Sequence, residues 1–250
     1  MSGHSKWSTI KRKKGALDAK RGKIFTKLAR EIQVAARVGG GDPDANPRLR
    51  LALAAASAAN MPKDNQERAI RKGLGELDDG AQVEEVRYEG RGPAGVAFVL
   101  ECMTDNRNRT VSELRHLLSK AGGELGTGGS ATYMFDRRGV VVLPRTAVDE
   151  DTLMERALEA GADEFWPEGD VWVVVCAPEE LGQVQGALDD LGPEAAELRW
   201  IPKPEFVVEL SGEAAEQVAQ TWAKLDDHDD VQEVYTNAKI PAEVMEAHGL

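Results

Sequence analysis

The chain has 250 residues, 42% of them hydrophobic, with 31 Lys+Arg against 43 Asp+Glu, two cysteines and a formal net charge of −12. That length suffices for two or three domains with separate cores. Cys102 and Cys176 each sit in an apolar, strand-like run far apart in sequence and read as buried free thiols of a reducing compartment, and there is no run of about 18 apolar residues to span a membrane.

The charge is unevenly placed. Residues 1–79 carry 17 Lys+Arg against 9 Asp+Glu, or +8, which leaves 14 against 34, or −20, for the remainder. Such a distribution suits a basic head that meets a polyanion while an acidic body stays soluble. The candidate contacts are Lys6, Lys11, Arg12, Lys13, Lys14, Lys20, Arg21, Lys23, Lys27 and Arg30. Between Lys23 and Val38 the apolar residues Ile24, Leu28, Ile32 and Ala35 recur at helical spacing, and Lys23, Lys27, Arg30 and Arg37 recur on another face. The spacing predicts a helix that packs on one side and meets phosphates on the other. Trp7 either stacks on a base or anchors the segment to the core. The N-terminus has no apolar stretch of the secretory kind, so the protein is expected in the cytoplasm.

The first domain reads as a bundle of about three helices. Gly39-Gly40-Gly41-Asp42-Pro43 ends the first helix, and Asn46 followed by Pro47 opens the second. Asn60-Met61-Pro62 breaks that helix, and Asp64 with Glu67 reads as a capping box for a third that stops at Gly73. After a linker at 74–81, Val83 to Glu89 and Val96 to Met103 read as a hairpin around Gly90 to Gly95. Thr110 with Glu113 reads as the capping box of a helix that ends at Gly122-Gly123. The loop Gly126-Thr127-Gly128-Gly129-Ser130 is rich enough in glycine to cradle a phosphate, but no helix opens after it and no lysine follows, so it reads as conformational.

Ala131 to Phe135 and Val140 to Leu143 are expected to form a second hairpin, turning at Asp136 to Gly139. Helices are predicted at Thr152 to Ala160 and Glu179 to Leu191, and strands at Val171 to Cys176 and Glu197 to Ile201. Phe206 to Leu210, Glu213 to Leu225 and Asp230 to Tyr235 then read strand, helix, strand. Two strands and a helix are too few to cover a sheet, so this late piece completes the middle domain and the acidic unit before it becomes an insertion. The expected fold class is α+β and multidomain: an N-terminal helical bundle plus two α/β domains of split β-α-β type, the last inserted in the middle one. The expected domains are 1–79, then 80–130 with 205–240, then 131–204.

The motifs Gly3-His4-Ser5-Lys6-Trp7, Lys20-Arg21-Gly22-Lys23, Asn60-Met61-Pro62, Tyr88-Glu89-Gly90, Gly92-Pro93, Thr104-Asp105-Asn106-Arg107-Asn108-Arg109-Thr110 and Gly122-Gly123 through Ser130 carry a resemblance. In these the chain resembles the YebC/PmpR family, whose mitochondrial members are called translational activators of cytochrome oxidase. Gln66 departs from an expected aliphatic residue, and the C-terminal half is unusually acidic. The resemblance implies three domains arranged as above, a bacterial cytoplasmic location with the family start at Gly3, and regulation of gene expression. It implies DNA binding and transcriptional regulation, with ribosome-associated translation of difficult, proline-rich stretches as the alternative. The partner is then DNA, or ribosomal RNA in the alternative, with no membrane and no small-molecule substrate.

Catalysis has one candidate constellation, Asp105, Arg107, Arg109 and His116 near one helix start. No activated nucleophile accompanies it, so the chain is expected not to be an enzyme and Arg107 and Arg109 are assigned to phosphate contact. His4, His116, His228 and His248 have no ligand spacing among themselves or to Cys102 and Cys176, so neither metal nor cofactor is expected.

Overall fold

A computed structural model describes residues 17–77 and 82–250, with side chains from 22 onward. Its architecture is mixed α and β, a helical bundle followed by two four-stranded sheets, the second inserted in the first. The bundle contains α1 (Leu17–Gly39), α2 (Pro47–Ala58) and α3 (Lys63–Gly73). Asn46 is buried and caps α2 by accepting from Leu49 N, while its Nδ2 donates to Ala35 O and Gly40 O at 2.8 Å each. One amide therefore joins the end of α1 to the start of α2. Ile32, Ala35, Ala36, Leu49, Ala52 and Ala56 form the bundle core. Small residues let the helices come close: a Cβ at Gly73 would lie 2.3 Å from Gln33 O.

The first sheet has the order β3-β1-β2-β9, from β1 (Glu84–Arg91), β2 (Ala97–Thr104), β3 (Glu124–Leu125) and β9 (Val231–Thr236). Two helices, α4 (Arg107–Lys120) and α7 (Gly212–Asp226), cover one face, where Phe98, Leu100 and Cys102 meet Leu114, Leu118, Val218 and Leu225. The alternate β2 residues pack the other way, Ala97 and Val99 against Met134, Phe135 and Tyr235, and Met103 against Val34 of α1. The period of two along β2 thus places it between helices and neighbouring bodies, which is why it reads as a nearly continuous apolar run.

The second sheet has the order β5-β6-β4-β7, from β4 (Phe135–Pro144), β5 (Ala162–Glu168), β6 (Val171–Cys176) and β7 (Ala195–Pro202), all antiparallel. Val141, Leu143, Trp172, Val174 and Cys176 pack under α5 (Glu150–Glu159) and α6 (Leu181–Leu188), together with Leu153, Ala157, Val184 and Leu188. Trp200 of β7 donates from Nε1 to Glu101 of β2 at 3.1 Å and lies under the guanidinium of Arg87 of β1, joining the two sheets.

Several expectations are corrected. Asp136 to Gly139 is not a turn. It lies within the single strand β4, paired residue for residue with Ile201 to Leu198, and Ala131 is followed by a 3₁₀ turn at Thr132–Met134. The polar run is accommodated because Arg138 reaches Asp163 and Cys176 O, and because Gly139 leaves room where a Cβ would lie 2.7 Å from Cys176 Sγ. Phe206 to Leu210 does not join the main sheet. It holds a 3₁₀ turn and the short β8 (Val208–Glu209), which pairs in parallel with β10 (Ala238–Lys239). Strand β5, with Pro167 in it, and the short α8 (Ala242–Ala247) have no counterpart in the sequence reading. β5 is an edge strand, where a proline costs no ladder bond. Neither expected capping box forms: Pro62 precedes α3 with no side-chain cap, and Asn106, not Thr110, caps α4 by accepting from Arg109 N at 3.1 Å. Gln66 is buried because its Nε2 donates to Met61 O at 2.9 Å.

Candidate nucleic-acid interface

Lys6, Lys11, Arg12, Lys13 and Lys14 lie outside the described residues, as does Trp7, and the side chains of Lys20 and Arg21 are not described. The remaining predicted cations on α1 all make contacts. The spacing of Lys23, Lys27 and Arg30 puts them along one stripe of the helix. That stripe lies against the end of α7 and the turn after it, Asp226-Asp227-His228-Asp229-Asp230. Lys23 Nζ bonds both the carboxylate and the carbonyl of Asp227, the latter at 3.1 Å. Lys27 Nζ donates to Asp226 O at 2.7 Å and lies 3.6 Å from its Oδ1. Arg30 donates to Asp229 O and pairs with Asp230. The sequence reading has this face meet phosphates; in the structure its three cations pair with an acidic turn of the same chain, while the opposite face packs in the bundle.

Asp230 is the hub of that contact. It is 1% exposed, pairs with Arg30, and accepts from Arg109 Nη2 at 3.0 Å, Thr104 Oγ1 at 3.2 Å and Thr110 Oγ1 at 2.6 Å. Burial alone would push this carboxyl up, but the Thr110 and Arg109 hydrogen bonds and the Arg30 charge outweigh it and hold the group below its ordinary value. The motif Thr104-Asp105-Asn106-Arg107-Asn108-Arg109-Thr110 is thus largely a socket for Asp230. Arg109 spans Asp105 and Asp230, whereas Arg107 turns to Glu84. The hydrogen bond from Arg107 holds the Glu84 carboxyl below its usual range. The two guanidiniums are committed to different carboxylates and His116 is exposed further along α4, so the candidate catalytic constellation is divided among separate contacts.

Chain folding also assembles what spacing could not predict. Glu113, His228 and Asp230 converge, with His228 Nε2 2.9 Å from Glu113 and Nδ1 accepting from Asp230 N at 3.1 Å. Both ring nitrogens and the Asp230 carboxylate are already engaged, and Arg30 and Arg109 neutralise the site, so the donor set is unsuited to a cation. The glycine loop is also occupied from within. Buried Glu89 accepts from Gly129 N, Ala131 N and Thr132 N at 2.7–2.9 Å, so the amides that could cradle a phosphate hold a carboxylate of the same chain. Burial would raise Glu89, but these hydrogen bonds prevail and its pKa is lowered. Gln33 lines a groove of about 320 Å³ between α1 and α3 with Phe25, Asn65, Arg68 and Lys72.

Comparison with known proteins bears on what this arrangement serves. A profile described as the TACO1/YebC N-terminal domain matches residues 5–76, and one described as the TACO1/YebC second and third domain matches residues 83–238. A probable transcriptional regulatory protein of Desulforapulum autotrophicum is 55% identical over 99% of this chain and 100% of its own. Another so named, from Geobacter sulfurreducens, is 53% identical over 98% and 99%. The crystal structure of a conserved hypothetical protein from Aquifex aeolicus matches with a TM-score of 0.80 and 46% identity, covering 92% of this chain and 94% of that one. The chain belongs to the TACO1/YebC family.

Proposed function

We propose that this member of the TACO1/YebC family is a DNA-binding transcriptional regulator of the cytoplasm, without enzymatic activity, that grips the phosphate backbone through its N-terminal basic segment. The observation that carries the reading is the charge partition of the chain, +8 in residues 1–79 against −20 in the remainder. The names of the two relatives support a regulatory role, and the acidic sheets supply a body that polyanions repel. Lys11, Arg12, Lys13 and Lys14, with Lys6, Lys20 and Arg21, form the primary contact; Lys23 and Lys27 extend it along α1 toward the largely buried Arg30. Arg107, exposed beside Glu84, contributes a weaker contact. The cations are strung along the chain rather than focused on one helix tip, which favours backbone contact over direct reading of base edges.

The test is anisotropy of a labelled random duplex titrated at several salt concentrations. Neutralising Lys11, Arg12, Lys13 and Lys14 to alanine should weaken binding and flatten the slope of log K against log salt by about 3 to 4 units. If affinity and slope are unchanged, this segment is not the contact and the reading fails.

A further inference from the structure

We propose that the turn 226–230 is an internal counter-ion that occupies the phosphate-binding stripe of α1 in the free protein and gives way to nucleic acid. The inference rests on the reading above, that the chain binds nucleic acid through its basic head. Three features of the contact point to displacement rather than a fixed strut.

First, the stripe is filled by ligands that resemble phosphate oxygens. Lys23, Lys27 and Arg30 meet carboxylate and carbonyl oxygens of Asp226, Asp227, Asp229 and Asp230, the acceptor set a nucleic-acid backbone would offer the same cations. Second, the aspartates sit at the wrong end of a helix. α7 ends at Asp226, where the macrodipole is negative and favours cations, so acids there are locally unfavourable. Lys224 in the last turn of α7 offsets part of this, and α1 supplies two more cations, whose side chains bond the terminal carbonyls of Asp226 and Asp227. Third, the contact is graded. Arg30 and Asp230 are 13% and 1% exposed, Lys27 and Asp226 are 21% and 16%, and Lys23 and Asp227 are 45% and 52%. The buried end is anchored by Thr104, Thr110 and Arg109, while the loose end lies next in sequence to Lys20 and Arg21. A strand held by the basic segment thus reaches the weakest pair first and can open the contact progressively, with Asp230 remaining as the hinge.

The full-length protein carrying Asp226→Asn and Asp227→Asn tests this with the same duplex. The amides keep size and hydrogen bonding but remove the competing charge. A control with Asp151→Asn and Glu155→Gln makes the same change in net charge on exposed positions of α5. The expected result is about tenfold tighter binding and a slope steeper by about 2 units for the first variant, with at most about twofold for the control. Adding Lys23→Ala and Lys27→Ala should abolish the gain. Hydrogen exchange offers a second readout: amides 227–230 should exchange faster when duplex is added to the unmodified protein. If the paired amides behave like the control and exchange does not change while the unmodified protein still binds duplex, the turn is a permanent strut; the inference falls and the proposed function stands. If no form binds duplex even at about 0.05 M salt, the proposed function fails and the inference with it.

Discussion

Replacing Asp230 with alanine removes the most deeply buried of the carboxylates that pair with α1. Arg30, only 13% exposed, would lose the partner that neutralises it, and removing one side of a buried ion pair typically costs about 3–5 kcal/mol. The lower end applies here. Arg109 is 40% exposed and keeps Asp105, and the Thr110 hydroxyl keeps Thr104 Oγ1 at 2.8 Å and Asn106 O at 3.0 Å. Urea unfolding followed by tryptophan fluorescence should therefore show a loss of about 3 kcal/mol for Asp230→Ala and roughly half for Asp230→Asn, which keeps an acceptor. The loss should persist in about 1 M salt, because a buried pair is poorly screened. The pH dependence follows from the depressed pKa of Asp230 in the folded state. Its contribution is fully present above the unfolded value of about 3.9 and disappears as pH falls through the lower native value, so the native and variant curves converge in acid. A cost below about 1 kcal/mol, or a difference that stays constant into strong acid, would refute the hub.

Other consequences follow from the same geometry. Glu89→Gln should cost about 1–3 kcal/mol and speed amide exchange at 129–132, since a neutral side chain satisfies those donors poorly; because the Glu89 carboxyl is also lowered, the difference from the native protein should vanish in acid. Gly73→Ala should separate α1 from α3 and lower the melting temperature, costing about 1–3 kcal/mol, whereas Gly186→Ala, where a Cβ meets nothing within 4 Å, should be neutral or stabilising. A loss at Gly186 equal to that at Gly73 would contradict the close helix approach. Cys102 and Cys176 are buried and burial pushes both thiols up, so a thiol reagent should modify neither at an appreciable rate until the protein unfolds; rapid labelling of the native protein would refute their burial.

Much of the fold was legible because it was punctuated. Asn46-Pro47, the glycines after Val38 and the apolar run of β2 each have a local physical meaning, and each is realised. The insertion was legible from an accounting of cover, since two strands and a helix leave a sheet exposed; β9 pairing with β2 supplies the missing strand. Misreadings occurred where tertiary partners override local chemistry. Asp136 to Gly139 has turn residues, but Arg137 lies by the Trp200 ring and Arg138 reaches Asp163, so the run is held extended. Thr110 has the sequence of a cap, but Asp230, 120 residues away, takes its hydroxyl.

The candidate site shows the same division. Helical spacing located the stripe of Lys23, Lys27 and Arg30, but could not say what faces it, because the acidic turn is about 200 residues distant in sequence. The signal available was the run Asp226-Asp227-His228-Asp229-Asp230 after a predicted helix, where acids are unfavourable. Charge alone points Arg109 at phosphate; its carboxylate neighbours Asp105 and Asp230 meet it only once the chain is folded.

The most direct test of DNA as the target is partition of the native protein between purified ribosomes and excess random duplex DNA at about 0.15 M salt, where loose phosphate binding is suppressed. The account predicts that the protein stays with the duplex and leaves the ribosomal pellet. Sedimentation with ribosomes despite the excess DNA would contradict it and make ribosomal RNA the partner of the basic head.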